Sequence, residues 1–233
     1  MRWFVFLLLM RAGGPLFAAD ESYDGGFQPA RPASFPAEFN DYQILPRSVS
    51  PDQQYAFIYP KRAVLYEQPG IKLCFVALKP FRVLNELPSR NSLARNARGY
   101  YEVNWAQDSS AAVFVAGTKW GPDKVFLTTI QAGRVANVVD LTAEVRKQVQ
   151  ADFEKSKTER YNWYYDFIFE TTADSRWELN DQRQVIIDCI CTTDPKQLNP
   201  KAWRVKFSGI WNIAEGRFYR KTVNPIKRTN PAR

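Results

Sequence analysis

Between Val103 and Thr142 the chain sets three short β-type runs between turn residues and then changes to a helical period. Ala111–Val115 and Val125–Ile130 are apolar runs, Gly117–Asp123 and Ala132-Gly133 punctuate them, and Val135–Leu141 closes the set. Runs of this length, rich in Val, Ile and Phe and bounded by Gly, Pro and Asp, form antiparallel strands joined by tight turns. Leu141, Val145, Val149 and Phe153 then recur every four residues, with Arg146, Lys147, Gln150, Glu154 and Lys157 on the other faces. That period predicts an amphipathic helix from Thr142 to about Arg160 that packs on a sheet. Thr142 is the expected N-cap, and Glu144 suits the positive end of the helix dipole.

A second copy of the pattern lies upstream. Ser50-Pro51-Asp52 starts a turn, because Pro presets φ and Asp hydrogen-bonds backbone two residues on. Tyr55–Tyr59, Ile71–Leu78 and Phe81–Leu87 follow as strands, with turns at Gln68-Pro69-Gly70 and Lys79-Pro80. Ser50–Ala56 aligns with Ala106–Ala112, and Leu73–Val83 with Val125–Val135, placing Arg82 over Arg134. The chain therefore carries two related units of strand, turn and strand. At these residues it resembles the WD40-like, TolB-type β-propeller blades, whose Ser-Pro-Asp-Gly signature precedes a strand. The matching residues are Ser50-Pro51-Asp52 in the first unit and Trp105 to Ser110 in the second. Gln53 stands where the motif has Gly, and the second unit lacks its Ser and Pro. The resemblance spans residues 47–141 and implies blade-like sheets, not a complete propeller, which needs about four blades. It brings no catalytic residues with it.

Downstream, Tyr161–Phe169 is densely aromatic, and Trp163, Tyr165, Phe167 and Phe169 alternate as one face of a buried strand would. An exposed set of such rings would instead stack on sugars or bases. Trp177–Leu179 and Val185–Thr192 flank a turn at Asn180-Asp181, and Trp203–Phe207 alternates strictly. Ile210–Ile213 and Arg217–Val223 flank Ala214-Glu215-Gly216 as a hairpin. The expected fold is mainly β: antiparallel blade-like meanders in two related units, with one amphipathic helix near 142–160. A single globular domain is expected over 47–223, after a Pro/Gly-rich arm at 20–46 and before a basic tail at 224–233.

Residues 1–19 read as an export signal, with Arg2, an apolar run from Trp3 to Met10, and small residues leading to a cut near Ala19. The expected location is periplasmic or extracellular. Cys74, Cys189 and Cys191 are then an odd set in an exported chain. Cys189 and Cys191 fall on one face of a strand, so a bridge between them is disfavoured. A bridge from Cys74 to either stands beside the reading that all three are buried thiols.

The chain contains no His, which removes Ser-His and Cys-His nucleophile pairs and the commonest metal ligand. No Gly-rich phosphate loop is present, and neither metal nor cofactor is expected. A carboxylate hydrolase would draw on residues such as Glu102, Asp166, Glu170 and Asp188. A net charge of +8 favours an anionic partner, and Arg90, Arg95 and Arg98 in one polar loop are the candidate contacts. Export and the lack of RNA- or zinc-finger-type motifs argue against nucleic acid. The expected function is an exported, non-catalytic binding protein, with the hydrolase and a structural part of an envelope assembly as the alternatives.

Overall fold

The computed structural model describes residues 35–60, 72–87 and 100–226. The expected export signal, the turn at residues 68–70, the loop with Arg90, Arg95 and Arg98, and residues 227–233 of the tail lie outside these.

Three antiparallel meanders make up the fold. The first sheet runs β1 (Tyr42–Ile44), β2 (Tyr55–Pro60), β3 (Leu73–Leu78) and β4 (Phe81–Leu87) in spatial order. The second runs β5 (Tyr100–Trp105), β6 (Ala111–Gly117), β7 (Pro122–Gln131) and β8 (Arg134–Asp140). After α1 (Leu141–Ser156) and a short β9 (Ile168–Glu170) comes the third sheet. It runs β10 (Arg176–Leu179), β11 (Gln184–Thr192), β12 (Arg204–Asn212) and β13 (Arg217–Pro225), with β9 paired to the far end of β11. The sheets close into neither a barrel nor a propeller. The first begins at Tyr42, inside the stretch whose composition marks an arm, and Phe35 and Phe39 pack their rings on Phe81.

The sheets stack in chain order, and side-chain alternation decides what each face meets. Phe57 and Phe75 of the first sheet pack against Ala112 and Phe114 of the second. Ala111, Val113, Val125 and Leu127 project from the other face of that second sheet toward Val185, Ile187, Cys189 and Phe207 of the third. Strands β6 and β7 are therefore apolar on both faces, which is why they read as unbroken hydrophobic runs. The third sheet is apolar on one face only. Its outer face carries Arg176, Glu178, Asp188, Lys206 and Arg220, with Ile186, Ile190 and Ile210 set among them. A charged outer face of this kind ends a stack instead of extending it.

The repeat has three copies, one more than the sequence shows. Each first turn is closed by an N–H donated back three residues: Gln53 to Ser50, Ser109 to Ala106, and Arg183 to Asn180. Gln53, Ser109 and Arg183 all take left-handed φ, at 58°, 57° and 57°. Each fourth strand also carries a bulge, at Leu84, Ala136 and Tyr219, the residue skipped in its register. The first two bulges agree with the alignment of Arg82 over Arg134. The third unit escapes a sequence search because its turn is built by Asn180, whose Oδ1 accepts from Gln182 and Gln184, without Ser or Pro.

Two local expectations change. The helix is capped by Asp140, not Thr142: the Asp140 carboxylate accepts from the Ala143 N–H at 2.9 Å, while Thr142 is buried within the first turn. It ends at Ser156, where Lys157 turns left-handed at φ 51°. And Trp203–Phe207 and Ile210–Ile213 are not separate strands, because β12 runs unbroken through Ser208-Gly209. Helix α1 buries Leu141, Val145, Val149 and Phe153 between the second and third sheets. Arg146 holds it there, its guanidinium stacked 4.8–5.5 Å from the rings of Tyr165, Phe167 and Phe169 and donating to the Phe167 carbonyl. Burial pulls its pKa down, and the ring faces beside it attract the guanidinium.

Candidate interaction surface

Adjacent strands of a meander reverse direction, so the first and third turns of every sheet lie at one end and the second connections at the other. The two ends differ in chemistry.

At the first end the turns are stitched to one another. The Asp52 N–H donates to Ser109 Oγ, and Trp105 Nε1 donates to the Ser48 carbonyl at 2.9 Å. Leu179 N–H donates to Asn104 Oδ1 at 2.7 Å, and Arg183 lies 3.9 Å from Asp108. Arg82 donates to the carbonyl of Gly133 in the neighbouring sheet. Within each turn the polar side chains are spent on the turn itself: Asp52 accepts from Ser50 Oγ and Gln54 N, and Asp108 from Ser110 N and Oγ. Those bonds, led by the Ser110 hydroxyl, hold the Asp108 carboxyl below its ordinary range. The motif residues Ser50, Asp52, Trp105 and Asp108 are thus turn builders and cross-sheet ties.

The opposite end is aromatic and basic. Tyr161 N–H donates to the Asp166 carbonyl, and Asn162 N–H to that of Tyr165, which makes residues 161–166 a narrow hairpin with Trp163 and Tyr164 at its tip. Asn162 Oδ1 accepts from both Tyr164 N and Tyr165 N at 2.8 Å, Arg160 pairs with Asp166, and Tyr165 OH donates to Asp123 at 2.7 Å. The tip is therefore fixed from below while its two rings face solvent, Trp163 at 76% and Tyr164 at 59% exposure. This corrects the alternating-strand reading of Tyr161–Phe169. Only Ile168–Glu170 is strand, Phe167 and Phe169 join the core, and Trp163 does not. Asn162, whose side chain competes with strand pairing by bonding its own backbone, was the sequence signal for a turn.

The carboxylates weighed for hydrolysis are engaged elsewhere. Glu170 pairs with Arg204 at 2.9 Å, Asp188 with Arg176, and Asp166 with Arg160. Glu102 stands exposed on β5 with no ion pair among the described residues. No group of three or more Cys, Asp or Glu side chains that would hold a metal occurs among the described residues. The thiols are also separated. Cys74 lies in the outer layer of the first sheet, whereas Cys189 and Cys191 lie in the layer between the second and third, so no bridge from Cys74 forms.

Basic residues gather on the β12–β13 hairpin, which carries Arg204, Lys206, Arg217, Arg220 and Lys221 with a single carboxylate of its own, Glu215. Arg204 and Arg217 are ion-paired and Lys221 bonds to Gln148, whereas Lys206 and Arg220 stand on the outer face without an ion pair among the described residues. Tyr219, the bulged residue, is 70% exposed beside them. A bulge re-aims its side chain out of the pleat, here away from the core between Phe218 and Val223. No helix among the described residues is long and apolar enough to cross a membrane. Comparison with protein-family models, with curated proteins and with solved structures gave no match.

Proposed function

We propose that the chain is an exported, non-catalytic binding protein whose partner is anionic. The observation that carries this reading is the β12–β13 hairpin, whose Lys206 and Arg220 stand without an ion pair among the described residues on the outer face of the sheet that ends the stack. Unpaired surface cations raise the local concentration of anions and steer a charged partner toward them. Tyr219 adds a ring for stacking beside Arg220. Export rests on residues 1–19, and the kinship with WD40-like, TolB-type blades is supported by three meanders stacked face to face. Such stacks serve as scaffolds for surface recognition.

Retention on immobilised heparin, a generic polyanion, tests the reading. The protein should bind at low salt and release as salt rises, because exposed charge pairs are screened over about 10 Å at 0.1 M. Lys206→Glu with Arg220→Glu should elute markedly earlier, and replacing Arg90, Arg95 and Arg98 by Ala reports the share of that loop. Absence of retention at low salt, or unchanged elution of the charge-reversed variant, would remove the support of the hairpin.

A further inference from the structure

Three of the four large apolar side chains most exposed among the described residues, Trp163, Tyr164 and Leu198, sit on connections at one end of the sheets. Ile168 pairs with Thr192, so the connection carrying Trp163 and Tyr164 enters the third sheet beside the point where the one carrying Leu198 leaves it. The Thr171 N–H donates to the Trp120 carbonyl, which brings the half-buried Trp120 of the β6–β7 turn to the same end. Lys119, Lys157, Lys196 and Lys201 are exposed on these same connections, without ion pairs among the described residues; Glu159 is the exposed acid. Lys119 lies 4.5 Å over the Trp120 ring.

The geometry points to an anionic lipid surface as the partner of this end, with the Trp163–Tyr164 tip entering the headgroup zone and the lysines meeting lipid phosphates. Trp and Tyr favour that zone because their rings are apolar and their N–H and O–H groups remain wet. A sugar is a poorer fit: stacking needs convergent polar groups to read hydroxyls, and Asn162, Arg160, Asp166 and Tyr165 already spend theirs on holding the tip. The tip also projects from a narrow hairpin instead of lining a concave site. Ring insertion with a surrounding positive charge holds a protein on a bilayer reversibly without a spanning helix.

Vesicle flotation tests this with the chain produced without residues 1–19, which precede every described residue and would bind lipid through their own apolar run. Vesicles of phosphatidylcholine with about a third phosphatidylglycerol should carry the protein, and pure phosphatidylcholine should carry less. Trp163→Ala with Tyr164→Ala should lower the bound fraction about tenfold, whereas Trp163→Phe with Tyr164→Phe should keep most of it. Tyr219→Ala, an equally exposed ring on the basic hairpin, should leave flotation unchanged. Equal flotation of the double-alanine chain, no flotation of the wild type at low salt, or the same loss on Tyr219→Ala would each overturn the assignment. Heparin retention is read separately through Lys206 and Arg220, so failure here and failure of the polyanion reading are distinguishable.

Discussion

The backbone N–H of Asp52 donates to Oγ of Ser109 at 3.1 Å, joining the first turn of one sheet to the equivalent turn of the next across 57 residues of sequence. Ser109 is buried and holds a left-handed backbone, so one side chain serves a turn and an inter-sheet tie together.

Removing that hydroxyl leaves a partly buried N–H without its acceptor. Ser109→Ala should cost about 1–2 kcal/mol in urea denaturation. Ser109→Gly loses the same bond but relieves the left-handed strain, so it should fall closer to wild type. If Ala and Gly cost the same, the backbone conformation at this position contributes nothing.

Gly121 marks a close approach between the second and third sheets. Its φ is +156°, and a Cβ there would lie 2.2 Å from the Phe169 carbonyl oxygen and 2.9 Å from the Thr171 nitrogen. Backbone atoms cannot rotate away, so Gly121→Ala should cost about 3 kcal/mol and broaden the signals of β9. A near-neutral thermal shift would mean that the seam opens freely.

Stability should fall in acid partly through Asp140. Burial works to raise its carboxyl pKa, but bonds from Lys124, the Thr142 hydroxyl and the Ala143 N–H outweigh it and hold the group below its ordinary 3.8. A depressed carboxyl contributes stability that is complete above the unfolded value and lost as pH drops through the folded one. Asp140→Asn should therefore be less stable than wild type by about 1 kcal/mol at neutral pH, with the gap closing as the pH falls below about 4. Urea midpoints at neutral pH and in acid measure it, and a gap constant with pH would assign the loss to capping alone.

The thiols should be inert while the chain is folded. Burial pushes Cys74 up to about 11 and Cys189 well above its ordinary value, and the thiolate is the reactive species. A thiol reagent at mildly alkaline pH should label none of the three in the native state, and all of them in denaturant. Fast native labelling of Cys189 would place it outside the core described for it.

Much of this was legible from residue order. Val185–Thr192 gave a strand with Cys189 and Cys191 on one face, the apolar runs Ala111–Val115 and Val125–Ile130 gave two more, and the four-residue period gave α1. These are local signals, fixed by backbone geometry that repeats every two or 3.6 residues. Tertiary structure alone decided what each face meets: an apolar run does not say whether Phe114 packs on Phe57 or Ile187, nor that Cys74 is a layer away from Cys189. It also decided the third repeat unit, whose turn at Asn180–Arg183 keeps the backbone shape of the others with different side chains. The Trp163–Tyr164 tip was hidden for the same reason. Its alternation imitates a core strand, and only the Tyr165–Asp123 bond, made across 42 residues, together with the Asn162 turn beneath it, turns the rings out to water.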